Sequence, residues 1–326
     1  MKALHRYVAV IGAGNFGMRH LETLRRIEGV AAIAVSRRKD RLEELHRQGY
    51  ATAPDIAAAA RMGATSCIVA TETSRHVPDT IAAVREGLRV LVEKPMAVDA
   101  IEAAEARSAC ASGQVIYVGC VLRFSESLDA FKEQLPRIGR VHHVRIECQS
   151  YLPSWRPGRP YRETYSASAA EGGIMRDLIH EIDYAGWIFG WPESLSARVR
   201  NLDRLGIDAE ESADLVWEVS GGVLVSMTLD CVTRRPQRRM RAVGEEGAIE
   251  WDGIAGRVTL STESDETKTF SQTADQRLLK QDAAFIFGNP VDPCMATADD
   301  GIRALAICDA ARAASASGRS ERVVYR

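Results

Sequence analysis

The stretch VAVIGAGNFGMRH, residues 8–20, spaces three glycines as Gly12, Gly14 and Gly17. That spacing suits a dinucleotide. The first glycine allows a sharp turn, the second lets a pyrophosphate approach the backbone, and the third lets helix and strand pack closely. Such a run has meaning only between a strand and a helix. Here YVAVIG precedes it and FGMRHLETL follows, so the free amides and positive dipole of a helix start would face the phosphates. About twenty residues further on, an NAD site usually carries an acid for the ribose hydroxyls. The corresponding text is AVSRRKD, which offers Ser36, Arg37, Arg38 and Lys39 instead. A hydroxyl beside several cations suits a 2′-phosphate, so NADP is the expected cofactor and NAD the alternative. The competing reading leaves Arg38 and Lys39 as solvated residues before a helix capped by Asp40.

A second chemical group is Asp177, His180 and Asp183 in MRDLIHEIDYAGW. On one continuous helix, positions 177 and 180 share a face, as do 180 and 183. Histidine is the usual choice for proton transfer near neutral pH, and Asp177 is placed to orient it or to contact substrate hydroxyls. The competing reading is a packed helix histidine with a structural aspartate. No metal is expected. The seven histidines are scattered, and His142 and His143 are adjacent on a strand-like run, where they would face opposite ways. Neither HExxH nor a serine nucleophile elbow occurs.

The elements that must position these groups fall into two parts. Up to residue 121, short β-branched runs (RYVAVIG, VAAIAVS, SCIVAT, LRVLVEK, QVIYVG) alternate with segments of helical spacing: FGMRHLETLRRI, DRLEELHRQ, VPDTIAAVREG and AIEAAEARSACASG. Continuous apolar strands alternating with helices predict a parallel sheet covered on both faces, a doubly wound Rossmann α/β domain over 1–121. From 122 to 326 the text reads as an α+β domain with a mostly antiparallel sheet. A strand (RVHHVRIECQSY) is followed by an irregular loop, LPSWRPGRPYRETYSAS, and a helix from Ile174 to Phe189. Strand-like text then runs from Ser194 to Leu260, with LVWEVSGGVLVSMTL as a hairpin around Gly221–Gly222. Late helices are expected at 275–287 and 297–316, the last one free to pack back on the first domain.

Charge and cysteine use set the class. The 42 basic and 44 acidic residues nearly cancel, which points away from nucleic acid or a membrane surface. The densest basic run, TRRPQRRMR at 233–241, lacks interleaved aromatics and reads as a solvated sheet edge or subunit contact. Seven cysteines without a CxxC pair suit a reducing cytosol, with Cys67 and Cys148 as small hydrophobes in strands. The N-terminal text enters a strand directly, no apolar run reaches bilayer length, and a cytoplasmic location is expected.

LRVLVEKPMA after ATETSRHVPDT, together with the glycine loop and EGGIMRDLIHEIDYAGWIFG, resembles the Gfo/Idh/MocA oxidoreductases across essentially the whole chain. The resemblance implies a Rossmann domain and a second domain with an open sheet that often forms the oligomer interface, here of a homodimer or homotetramer. It implies oxidation or reduction of a hydroxyl/carbonyl pair on a sugar. By position, Lys94 matches the lysine that holds the reacting oxygen, with Glu93 beside it and Pro95 fixing the turn. An ammonium there donates a hydrogen bond to an oxygen that gains negative charge as hydride arrives. The implied cofactor contacts are Gly12, Gly14, Asn15, Phe16, Gly17, Ser36, Arg37, Arg38, Thr71, His76, Glu93, Lys94 and Pro95. The implied catalytic residues are Lys94, His180 and Asp177, and the implied substrate contacts Arg123, Trp155, Arg156, Tyr165, Asp177 and His180. Arg159, Tyr161 and Arg162 add to a loop rich in side chains that grip polyols, of the kind found in a subgroup tied to cell-surface sugars. Three departures stand out. Asp177 and His180 are three apart where much of the family has four, Glu171 stands where a glycine is common, and Val121 stands where an asparagine is usual. Two other readings share the fold: a dinucleotide-binding sensor without turnover, and a reductase of an imine or a tetrapyrrole.

Overall fold

The computed structural model describes residues 6–111, 113–288 and 292–326. Its contacts divide the chain into two compact units, one running up to Phe124 and including Thr273–Ile302, the other Ser125–Gln272 with Arg303–Arg326.

The first unit alternates β1 (Arg6–Ile11), α1 (Asn15–Leu24), β2 (Val30–Val35), α2 (Lys39–Arg47), β3 (Ala51–Ala53), α3 (Ile56–Arg61), β4 (Ala64–Val69), α4 (Thr73–Arg85), β5 (Arg89–Val92), α5 (Ala100–Ser108) and β6 (Ile116–Val118). Cys67, Ile68 and Val69 on β4 and Val90, Leu91 and Val92 on β5 are all fully or nearly fully buried, as strands covered on both faces require. The parallel strands stand in the order β6-β5-β4-β1-β2-β3. The chain therefore reverses direction across the sheet between β1 and β4, where open α/β sheets place ligands beyond the strand ends. The β3–α3 pair is absent from the sequence reading. Three residues and a short alanine-rich helix carry too little periodicity to register. What fixes that helix is a cap, the Asp55 side chain accepting the Ala58 N–H at 2.7 Å.

The second unit opens with α6 (Glu126–Gln134) and β7 (Val141–Tyr151), passes through short 3₁₀ turns, and reaches α7 (Ile174–Asp177) and α8 (Ile179–Phe189). Strands β8 (Ser194–Arg200), β9 (Ser212–Val219), β10 (Val223–Asp230), β11 (Val232–Gly244), β12 (Gly247–Asp252), β13 (Arg257–Ser261) and β14 (Asp265–Thr269) follow. Then come α9 (Ala274–Phe287), β15 (Ala296–Thr297), α10 (Ala298–Ser317) and β16 (Glu321–Arg322). Of these last elements, α9 and β15 belong to the first unit. There α9 packs on α1, Phe285 and Ile286 join the core around Val8, Leu21 and Ile68, and β15 pairs antiparallel with β6. The unit boundary falls inside α10.

The second sheet has the order β14-β13-β12-β11-β7-β10-β9-β8-β16, antiparallel except where β7 meets β10. Its strands alternate: on β9, Leu215, Trp217 and Val219 are buried while Val216 and Glu218 are exposed. Trp251 and Tyr184 meet edge-on at 5.5 Å in its core. The hairpin at Gly221–Gly222 is as expected, both glycines having positive φ. The basic run is split. Arg239 and Arg241 pair on both sides, with β7 and with β12, so that half is not at an edge as the sequence reading had it. Residues 233–236 precede the pairing with β12 and fall where the pairing with β7 skips from Val232 to Gln237, so no ladder bond is asked of Pro236. The helix expected over 174–189 is also two pieces. Leu178 leaves helical geometry at φ −101°, ψ 30°.

Candidate active site

In the first unit the glycine loop has the features a dinucleotide needs. Gly12 has φ +91°, a conformation favoured by glycine, and a Cβ there would come within 2.7 Å of the Ala70 carbonyl oxygen. A Cβ on Gly14 would meet nothing within 4 Å, so the backbone is open to an approaching group. Gly14 is also the N-cap of α1, where no side chain caps the helix and no acid occupies the first turn. The amides at Asn15, Phe16 and Gly17 thus open a helix whose positive end is left for an anion. Phe16 is exposed beside them, under the Arg19 guanidinium. The residues present fit a pyrophosphate.

At the end of β2 the cations divide. Arg38, not Asp40, is the N-cap of α2, and its guanidinium pairs with the Asp40 carboxylate on the surface. The Arg38 hydrogen bond holds the Asp40 carboxyl below its usual range. Ser36 accepts the Arg38 N–H at 3.2 Å. Arg37 points elsewhere, to Asp79 on α4 at 3.6 Å, and Arg75 reaches the same carboxylate at 2.5 Å. Asp79 is buried and also accepts the Thr71 hydroxyl at 3.0 Å. Two arginines from different elements are therefore held by one acid, an arrangement with a cation to spare. Arg75 and Asp79 were not read from the sequence, although four-residue spacing on a helix is the signal that pairs them.

His76 is buried with both ring nitrogens at main-chain oxygens, Nδ1 2.8 Å from Pro95 and Nε2 3.1 Å from Thr71. Burial pushes its pKa below the ordinary histidine value, against the pull of the Pro95 carbonyl. Its contacts join the turn after β4 to the turn after β5. Lys94 follows the last residues of β5, half-buried, and its peptide bond to Pro95 is cis. Glu93 is buried and accepts the Lys94 N–H through Oε2 at 3.3 Å. Arg123 is 2 % exposed and paired with Asp300 at 3.3 Å, within the same unit.

In the second unit the break at Leu178 separates Asp177 from His180, so helix periodicity does not relate them. Asp177 ends α7 and His180 begins α8, while His180 and Asp183 keep their three-residue spacing on α8. Asp177 is buried and accepts the Ser166 hydroxyl at 3.2 Å. Arg156 donates to that hydroxyl at 3.4 Å and lies 4.9 Å from the centre of the Tyr165 ring. The structure thus brings Arg156, Tyr165 and Asp177 together through Ser166, a residue the sequence reading passed over. Arg176 braces the turn ahead of them, donating to the carbonyls of Ala169, Ala170 and Gly172.

Other members of the aromatic loop are used internally. Tyr161 and Arg162 both donate to the Leu205 carbonyl, at 2.9 and 3.1 Å, and Arg159 donates to Glu163. Trp155 donates to the Ser150 hydroxyl at 2.9 Å. The seven cysteines are free, and burial raises the Cys231 and Cys308 thiols to about 12, which leaves them unreactive packing groups. Among the described residues, no helix is long and apolar enough to cross a membrane.

Comparison with known proteins agrees with this architecture. Residues 6–119 match the oxidoreductase family described as an NAD-binding Rossmann fold, and residues 136–250 match the GFO/IDH/MocA C-terminal domain. Inositol 2-dehydrogenase 4 of Saccharopolyspora erythraea is 28% identical, over 95% of this chain and 94% of its own. The 1,5-anhydro-D-fructose reductase of Ensifer adhaerens is 25% identical, over 78% of each chain. Levoglucosan dehydrogenase in complex with NADH superposes with a TM-score of 0.86 at 16% identity, over 99% of this chain and 100% of that one. At that identity the likeness is one of fold. The relatives are oxidoreductases of sugar-like molecules, and the chain belongs to the Gfo/Idh/MocA oxidoreductase family.

Proposed function

We propose that the protein is an NAD(P)-dependent oxidoreductase that interconverts a hydroxyl and a carbonyl on a sugar or sugar derivative, with NADP preferred. One observation carries the reading. The glycine loop, Thr71 and Lys94 follow the carboxyl ends of β1, β4 and β5, neighbouring parallel strands, so an uncapped helix start and an amine share one edge of one sheet. The bound dinucleotide supplies or accepts the hydride. Lys94 donates a hydrogen bond to the reacting oxygen, whose negative charge grows during reduction. His180 serves as the proton donor, or as the acceptor in the reverse direction, and Asp177 with Arg156 and Tyr165 contacts the substrate. The lack of an acid at the end of β2 and the presence of Arg37 support the 2′-phosphate.

The open face of the second sheet supports self-association into a homodimer or homotetramer. It presents Arg145, Glu147, Arg239, Arg241 and Glu250 around a hollow of about 320 Å³. Both signs of charge on one patch suit a two-fold contact of the patch with itself.

A fluorescence titration with NADPH and with NADH, followed by absorbance assays on cyclitols, uronates, amino sugars and nucleotide sugars, tests the reading. Dinucleotide binding with turnover of at least one class supports it. Binding without turnover of any class favours a sensor of the same fold, and failure to bind either coenzyme rejects both.

A further inference from the structure

Three ionisable side chains meet inside the first unit: Glu93, beside Lys94, and two to which nothing above assigns a role, His20 and Asp282. His20 lies three residues beyond Gly17 on α1 and is fully buried. Its Nδ1 is 3.1 and 2.9 Å from the two carboxylate oxygens of Asp282 on α9, and its Nε2 is 3.0 Å from Oε1 of Glu93. Asp282 is fully buried and Glu93 6% exposed. Burial pushes the Asp282 carboxyl up, against the attraction of His20; with both carboxylates ionised, each can only accept, so each ring nitrogen donates, which is the imidazolium form. Burial opposes that charge, but attraction to Asp282 and hydrogen bonds to both acids outweigh it and raise the ring's pKa to about 10.

Glu93 is held on every side that bears on Lys94. Its Oε1 meets the histidine, and its Oε2 accepts the Lys94 N–H. Its carboxylate also fills the space over Gly119, where a Cβ would come within 2.5 Å of Oε1. A buried ionic cluster is an ineffective route to stability, because desolvation offsets attraction and apolar side chains of the same volume often hold a core as well. What apolar side chains lack is direction. Hydrogen bonds from a fixed ring set the orientation of a carboxylate, and the carboxylate sets the amide that follows it.

We propose that His20 is a positioning residue: anchored by Asp282, it fixes the Glu93 carboxylate, which in turn fixes the main chain from which the Lys94 side chain departs. The inference rests on reading Lys94 as the group that holds the reacting oxygen. It also joins two parts of the machinery. The helix whose start closes the glycine loop carries, one turn later, the residue that aligns the amine.

The test uses His20→Gln and Glu93→Gln in the full chain. Both are expected to lower kcat about 10- to 100-fold, and in His20→Gln, which alters no residue named as a cofactor or substrate contact, the dinucleotide Kd and the substrate KM should stay within about threefold. In hydrogen exchange without coenzyme or substrate, the Lys94 amide should exchange about tenfold faster, and the core amides of Val10 and Leu91 should keep their protection. A purely structural cluster would instead lower Tm and loosen all three amides together, with kcat unchanged below the melting range, and that result overturns the proposal. Should neither variant fold, ¹⁵N spectra of the unmodified protein decide. Both His20 nitrogens must be protonated at about pH 8, well above the ordinary histidine pKa, and a neutral ring there overturns the anchoring. If no substrate is turned over by the unmodified protein, the parent reading fails, while the exchange and ring readouts still decide whether His20 anchors Glu93.

Discussion

A Cβ on Gly17 would stand 1.8 Å from the carbonyl oxygen of Gly12, whereas a Cβ on Gly14 would meet nothing within 4 Å. The two glycines therefore do different work, and the same substitution separates them. Gly17→Ala forces the helix start off the strand end and should cost about 1–3 kcal/mol, a drop of several degrees in Tm. Gly14→Ala should leave Tm unchanged and raise the dinucleotide Kd about tenfold or more, because the methyl occupies the approach to the backbone. Thermal melts beside coenzyme titrations check both. Equal loss of binding without loss of stability in the two variants would contradict the packing argument.

His20 makes stability depend on pH. Its pKa is raised from 6.5 in the unfolded chain to about 10 in the folded one. The folded state thus holds a proton that the unfolded state releases, so the contribution is fully present below about pH 6.5 and lost as pH rises through about 10. The Tm advantage of the unmodified protein over His20→Gln should accordingly shrink from neutral pH to about pH 10. Calorimetry across that range checks the sign. An advantage that stays flat from neutral pH to about pH 10 would show that the ring is buried neutral.

Arg37 tests cofactor choice. Its side chain is 74% exposed and its guanidinium lies 3.6 Å from Asp79, whose nearer partner is Arg75. The competition leaves Arg37 available to a phosphate, while Arg38 is committed to Asp40. Arg37→Ala should weaken NADPH by about tenfold or more and leave NADH within about twofold. Paired titrations give the ratio directly. A uniform loss for both coenzymes would place Arg37 at the pyrophosphate or in the fold.

Much of the first unit was legible because parallel strands buried on both faces have to be continuously apolar, as SCIVAT and LRVLVEK are. The glycine loop was readable for the same reason, since its strand and helix neighbours are unambiguous. The break at Leu178 was not. RDLIHEIDYAGWIF is compatible with one helix, and the contacts beside the break, Ser166 on Asp177 and Arg176 on the carbonyls of the preceding turn, follow no helical period that the sequence would reveal. Tyr161 and Arg162 looked available for a sugar because their acceptor, the Leu205 carbonyl, is 44 and 43 residues away. The His20–Asp282 contact spans 262 residues and has no local signature at all. The β11 arginines read as a solvated edge because charge density carries no information on pairing, and only the strand register shows that Arg239 and Arg241 have a neighbour on both sides.

Lys94 carries the central claim, and Lys94→Ala tests it most directly when coenzyme binding and single-turnover hydride transfer are measured on the same preparation. The amine is expected to contribute to the rate and not to holding the coenzyme. Dinucleotide Kd should stay within about threefold while the transfer rate falls by about 10²–10³, the loss typical of removing one donor from a developing oxyanion. Transfer at the unmodified rate in Lys94→Ala would contradict the account.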